Sequence, residues 1–114
     1  EPLMSATLTY SLLALAILFE VAATTALKAS DGMTRLTPAM VVVAGYAGAF
    51  YLLALSLKSL PVGFVYAMWS GFGIIGVAIV GSAVFGESVS AAKIMGFVLI
   101  IAGVALVKGG GAAA

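Results

Sequence analysis

The residue best placed to do chemistry is Glu20, a carboxylate inside an apolar run from about Leu8 to Leu27. Read as a helix, that run puts Glu20 about 12 residues, or about 18 Å, from its start. A helix crossing a bilayer needs about 20 apolar residues, so Glu20 falls near the midplane. An ionised carboxylate there costs about 3 kcal/mol on insertion scales. Its nearest cation in the same helix, Lys28, is two turns away and gives no relief. Desolvation penalises the charged form, so such a group holds either a proton or a cation, but not both at full strength. That competition is the minimum an exchanger needs. The plainer alternative is a protonated Glu20 that only hydrogen-bonds between helices.

One turn to either side of Glu20 lie Ala16, Ile17, Ala23 and Thr24. The alanines leave room around the carboxylate, and Thr24 can donate to it or back to its own helix. Small residues equally admit a partner helix, so packing and site are both served. Further along, Tyr66, Trp69, Ser70 and Gly73 share one face of an apolar run, and Tyr46 and Phe50 stand one turn apart in another. Aromatics near helix ends are ordinarily interfacial anchors, which suits Tyr10. Beside a mid-membrane acid, Tyr46, Phe50, Tyr66 and Trp69 instead suggest a cation site walled by ring faces.

The glycines divide into two groups. Gly71, Gly73 and Gly76 crowd two turns, which makes this stretch either a close-packing surface or the bending point of a hinge. Gly96 and Gly103, seven residues apart, form a stripe without polar groups that reads as a packing seam, most simply between subunits.

The elements that must position these residues follow from composition. Of 114 residues 64% are hydrophobic and 8% charged, too few charges to coat a globule in water. The fold class is therefore an all-α membrane protein with four transmembrane helices, over about 8–27, 38–57, 62–84 and 90–107. They form one domain over 1–108, and the Gly/Ala run 109–114 is set aside as a low-complexity tail. The first run is longer than the apolar part of a removable leader and lacks a clear cleavage site, so it is read as a span. Connections of about 4 to 10 residues leave no room for a soluble domain.

With four spans, Lys58 and Lys108 face one side of the membrane, and Lys28, Arg35 and Lys93 the other. So small a difference sets no firm orientation. Either other signals choose one, or copies insert both ways and pair antiparallel. Four helices with one acid are too few to wall a pathway, so self-association is expected.

The absence of histidine and cysteine removes thiolate chemistry, disulfides and the usual soft metal ligands. No enzyme, metal site or cofactor is expected. A net charge of +1 offers no surface for nucleic acid.

Longer motifs carry a resemblance. Glu20-Val21, Thr24-Thr25, Lys28, Gly32-Met33-Thr34-Arg35 and Pro38 are followed by a run from Leu60 to Gly73, LPVGFVYAMWSGFG, then by Phe85-Gly86-Glu87, Gly96 and Gly103. From about Tyr10 to Val107 the chain resembles the small multidrug resistance family of proton-coupled cation exporters. The resemblance implies an antiparallel, dual-topology homodimer in the bacterial cytoplasmic membrane. Its two Glu20 residues would form one site taking protons and a lipophilic cation in turn. By the same resemblance Tyr46, Phe50, Tyr66, Trp69, Thr24 and Ser70 line the site, Gly71 and Gly73 mark the kink, and Gly96 and Gly103 the dimer seam. Ala23-Thr24-Thr25 resembles the quaternary-ammonium type, which makes hydrophobic organic cations, protons and lipid the expected partners. A guanidinium or polyamine exporter of the same family is the near alternative. A non-transporting assembly or channel subunit is the distant one.

Overall fold

The structure, a computed structural model, describes residues 5–112. Four α-helices make up its secondary structure among the described residues: α1 (Ala6–Ala29), α2 (Leu36–Ser56), α3 (Val62–Phe85) and α4 (Ala91–Ala112). All four are long and apolar enough to cross a membrane, so this is a multi-pass membrane protein.

Local chemistry explains where each helix begins. Ser5 caps α1, its Oγ accepting the Leu8 N–H at 3.1 Å. Ser90 does the same before α4, accepting the Lys93 N–H at 3.2 Å. Pro61 stands immediately before α3, where the chain is still extended and no donor is missed. Pro38 lies inside α2 rather than at its start, but still in the first turn, where N–H groups have no partner within the helix. At the far end, α4 continues through Gly109 to Ala112, so part of the run set aside as a tail is helical. Residues 113–114 lie outside the described residues.

The chain divides into two compact units, the first ending at Ser59 and the second beginning at Leu60. In the first unit α1 packs along α2. Their connection is built on Ser30, which is fully buried. Its hydroxyl donates to the Leu27 carbonyl at 2.7 Å and accepts the Met33 N–H at 2.9 Å. Its carbonyl accepts the N–H groups of Thr34 and Arg35. The chain reverses through Asp31, Gly32 and Met33, all at positive φ.

The contact between α1 and α2 is close because α2 offers glycine there. The Phe19 ring lies on Gly48, where an added Cβ would meet ring carbons at 2.6 and 2.7 Å. Ala23, itself fully buried, lies on Gly45, where an added Cβ would meet the Ala23 Cβ at 2.8 Å. Lipid tails are as apolar as these side chains, so the association rests on dispersion at short range.

In the second unit α3 packs against α4. Gly71 is the notch: an added Cβ would stand 2.9 Å from the Cγ2 atoms of both Ile100 and Val104. Gly86, at φ 69°, ends α3. Its N–H and that of Glu87 both donate to the Gly81 carbonyl.

Candidate functional site

Glu20 sits in the middle of α1, partly buried, and it is not alone. Thr24, one turn on, donates its hydroxyl proton to Glu20 Oε2 at 2.8 Å. Of the two partners open to Thr24, the carboxylate and its own backbone, the structure shows the carboxylate. Thr25 takes the other course, donating to the Val21 carbonyl at 2.8 Å.

What separates the two threonines is first the residue four back, Glu20 for Thr24 and Val21 for Thr25, and then a partner from α2. The Tyr46 hydroxyl lies 2.5 Å from Thr24 Oγ1. A hydroxyl has one proton to give. With Thr24's proton given to Glu20, Tyr46 must be the donor in its bond to Thr24. The chain therefore runs from Tyr46 to Thr24 to Glu20 Oε2, with each donor polarising the next. A Glu20 protonated at Oε2 would take the opposite sense, with the carboxyl donating to Thr24 and the Thr24 proton turning to Tyr46, whereas protonation at Oε1 leaves the sense unchanged.

Of the four rings singled out in the sequence, two stand together beside this chain. Tyr46 and Phe50 are neighbours, with ring centroids 6.3 Å apart and planes tilted by 30°. Phe50 presents most of its ring outward. Glu20, Thr24, Tyr46 and Phe50 are therefore gathered in the first unit. Tyr66, Trp69 and Ser70 lie within about one turn of α3 in the second, Tyr66 exposed and the other two partly buried.

The glycines singled out in the sequence fall in different settings. Gly71 and Gly73 are buried within a continuous α3, and Gly71 seats two side chains of α4. A Cβ added to Gly96 or Gly103 would meet no atom within 4 Å. That face of α4 is open, as are Leu99, at 65% exposure, and Leu106, at 76%.

Sequence reasoning missed Gly45 and Gly48, which decide how closely α2 approaches the acid-bearing helix. The available signal was their spacing: two glycines one turn apart in the helix that also carries Tyr46. Among the described residues no group of three or more His, Cys, Asp or Glu residues could hold a metal ion.

Four apolar helices with a hydrogen-bonded carboxylate in the middle of one define a polytopic membrane protein organised around an intramembrane acid. More narrowly, the chain belongs to the small multidrug resistance family, whose profile, described as Small Multidrug Resistance protein, matches residues 8–100. It is 50% identical over 96 residues to the quaternary ammonium compound-resistance protein QacF of Klebsiella aerogenes, covering 84% of this chain and 87% of that protein. A multidrug transporter of Pseudomonas aeruginosa is 48% identical over 99 residues, 87% of this chain and 90% of that one. A guanidinium exporter of Yersinia pseudotuberculosis is 44% identical over 93 residues, 82% and 89% of the two chains. These relatives bear the names of transporters and resistance proteins, not of enzymes.

Proposed function

We propose that the chain is a proton-coupled antiporter that exports lipophilic and quaternary ammonium cations across the bacterial cytoplasmic membrane. Glu20 binds the proton and the cation in turn. The observation that carries this reading is the chain from Tyr46 through Thr24 to Glu20. It supplies a donor to the carboxylate, and it can reverse when Oε2 takes a proton, so both protonation states can be satisfied within one packed pair of helices.

The rings of Tyr46 and Phe50 supply faces for a delocalised or alkylated cation. Tyr66, Trp69 and Ser70 complete the wall in the working assembly. That assembly is an antiparallel homodimer with Gly96 and Gly103 at its seam, a reading supported by the open face of α4. Gly71 and Gly73 give α3 the bend that moves access from one side to the other.

A second reading, export of guanidinium, is favoured by the 44% identity to a guanidinium exporter. The two are separated by currents from purified protein in liposomes under a proton gradient. A bulky quaternary ammonium or phosphonium cation should drive current where guanidinium gives little. Current with guanidinium alone would assign the second reading. Glu20→Gln should abolish proton-driven export, and Glu20→Asp should retain it with an altered pH profile. Export surviving Glu20→Gln would overturn the shared-site mechanism.

A further inference from the structure

We propose that Gly45 is a positioning residue: its contact with Ala23 sets the distance between α1 and α2 at which Tyr46 reaches Thr24, and so keeps Thr24 on the Glu20 carboxylate. The inference rests on the reading of Glu20 as the proton and cation site, and it names what holds that site in order.

The geometry places the contact directly beside the chain of hydroxyls. Ala23 precedes Thr24 on α1 and Gly45 precedes Tyr46 on α2. The backbone contact and the hydroxyl contact are therefore adjacent rungs between the same two helices. At the backbone rung no space is left, because an added Cβ on Gly45 would meet the Ala23 Cβ at 2.8 Å and the Phe19 carbonyl oxygen at 3.4 Å. Neither is the end of a flexible side chain, so neither can turn aside. Restoring ordinary contact, which begins at 3.4 Å, opens the seam by about 0.6 Å. The same opening stretches the Tyr46–Thr24 bond from 2.5 Å to about 3.1 Å, past the usual range for a bond between hydroxyls.

Once released by Tyr46, Thr24 has a competing partner one turn back, the Glu20 main-chain carbonyl. That backbone bond is the default of a threonine in a helix, and Thr25, with Val21 rather than a carboxylate four residues back, makes it. Gly45 thus controls the donor to Glu20 without touching Glu20. A general loosening of the helix pair would lower stability, whereas this arrangement alters one hydrogen bond.

The test measures tetraphenylphosphonium affinity across pH for the purified protein and four variants: Gly45→Ala, Tyr46→Phe, the two combined, and the swap Ala23→Gly/Gly45→Ala. Gly45→Ala should weaken binding about three- to tenfold, the worth of one hydrogen bond. Its pH midpoint should move in the same direction as that of Tyr46→Phe. Combined with Tyr46→Phe, it should add little, because both changes break the same bond. The swap moves one methyl group from α1 to α2 and should restore affinity to within about twofold of the parent.

Unchanged affinity and pH midpoint in Gly45→Ala would overturn the proposal, as would full additivity with Tyr46→Phe. If Gly45→Ala does not fold, the swap decides. A swap that folds and binds like the parent supports the spacer role, and one that folds but binds as weakly as Tyr46→Phe overturns it. Parent affinity that ignores pH would sink the shared-site reading instead, and the additivity of Gly45→Ala with Tyr46→Phe would still judge the positioning role.

Discussion

A threonine hydroxyl in a membrane helix has a default acceptor in its own backbone, so Thr24 donating to Glu20 has to be explained. Tyr46 supplies the explanation by giving Thr24 a proton in return for the one it passes on. Thr24→Val keeps the shape and removes both bonds. Cation affinity should fall about ten- to a hundredfold, as for one net hydrogen bond to a charged group. Because the hydroxyl donates to the Glu20 carboxyl group, its loss should also change the pH dependence of cation binding. Thr24→Ser, which restores the hydroxyl without the methyl, should return both quantities toward the parent. A Thr24→Val variant with parental affinity and midpoint would remove Thr24 from the site. The acid and its threonine were legible in the sequence because one charge in an apolar run is conspicuous and one helical turn is a fixed distance. The choice between Glu20 and the backbone was not, since it depends on Tyr46 in another helix, 22 residues away.

At the scale of the element, the helices are bounded by local turns and caps, and glycines in α2 and α3 fit those helices to their neighbours. The helices themselves were legible from apolar length, and a few boundaries shifted because Ser5 begins α1 before the apolar run and Pro38 is tolerated within a first turn. The glycines were harder, because three physical roles share one residue type: Gly45 and Gly71 admit a neighbour, Gly86 adopts a left-handed backbone, and Gly96 and Gly103 face open space. Only backbone angles and neighbouring atoms separate these roles. Gly86 and Gly63 make a controlled pair, since an added Cβ would meet nothing within 4 Å at either, and Gly86 alone has positive φ. Gly86→Ala should therefore destabilise the end of α3 by about 1 kcal/mol through backbone strain alone. Gly63→Ala, in the first turn of α3, should be neutral or mildly stabilising. Thermal unfolding in one detergent checks the contrast, and equal effects of the two substitutions would contradict it.

For the whole molecule, the open question is how four helices with so little charge choose a direction across the membrane. Lys28 and Arg35 flank the loop between α1 and α2, and the Arg35 guanidinium donates to the Ala29 carbonyl, which fixes it at that loop. Lys93 lies within α4, but its ammonium donates to the Ser88 carbonyl and so belongs with the loop before the helix. On the four-span reading of the sequence these three charges would share one side, against Lys58 and Lys108 on the other, and so small an excess would leave both insertions close in energy. The proposed antiparallel pair needs copies in both orientations, and the open glycine face of α4 would be its seam. The chain has no cysteine, so a single Gly109→Cys is a clean reporter for a membrane-impermeant maleimide on intact cells. Labelling of roughly half the population before lysis, and of the rest after it, is the outcome expected for two nearly balanced orientations. Adding two lysines at Ser88 and Val89 should bias that ratio strongly and lower transport, because it depletes one of the two orientations. Uniform labelling of the parent would mean a single orientation, and the pairing would then have to be parallel.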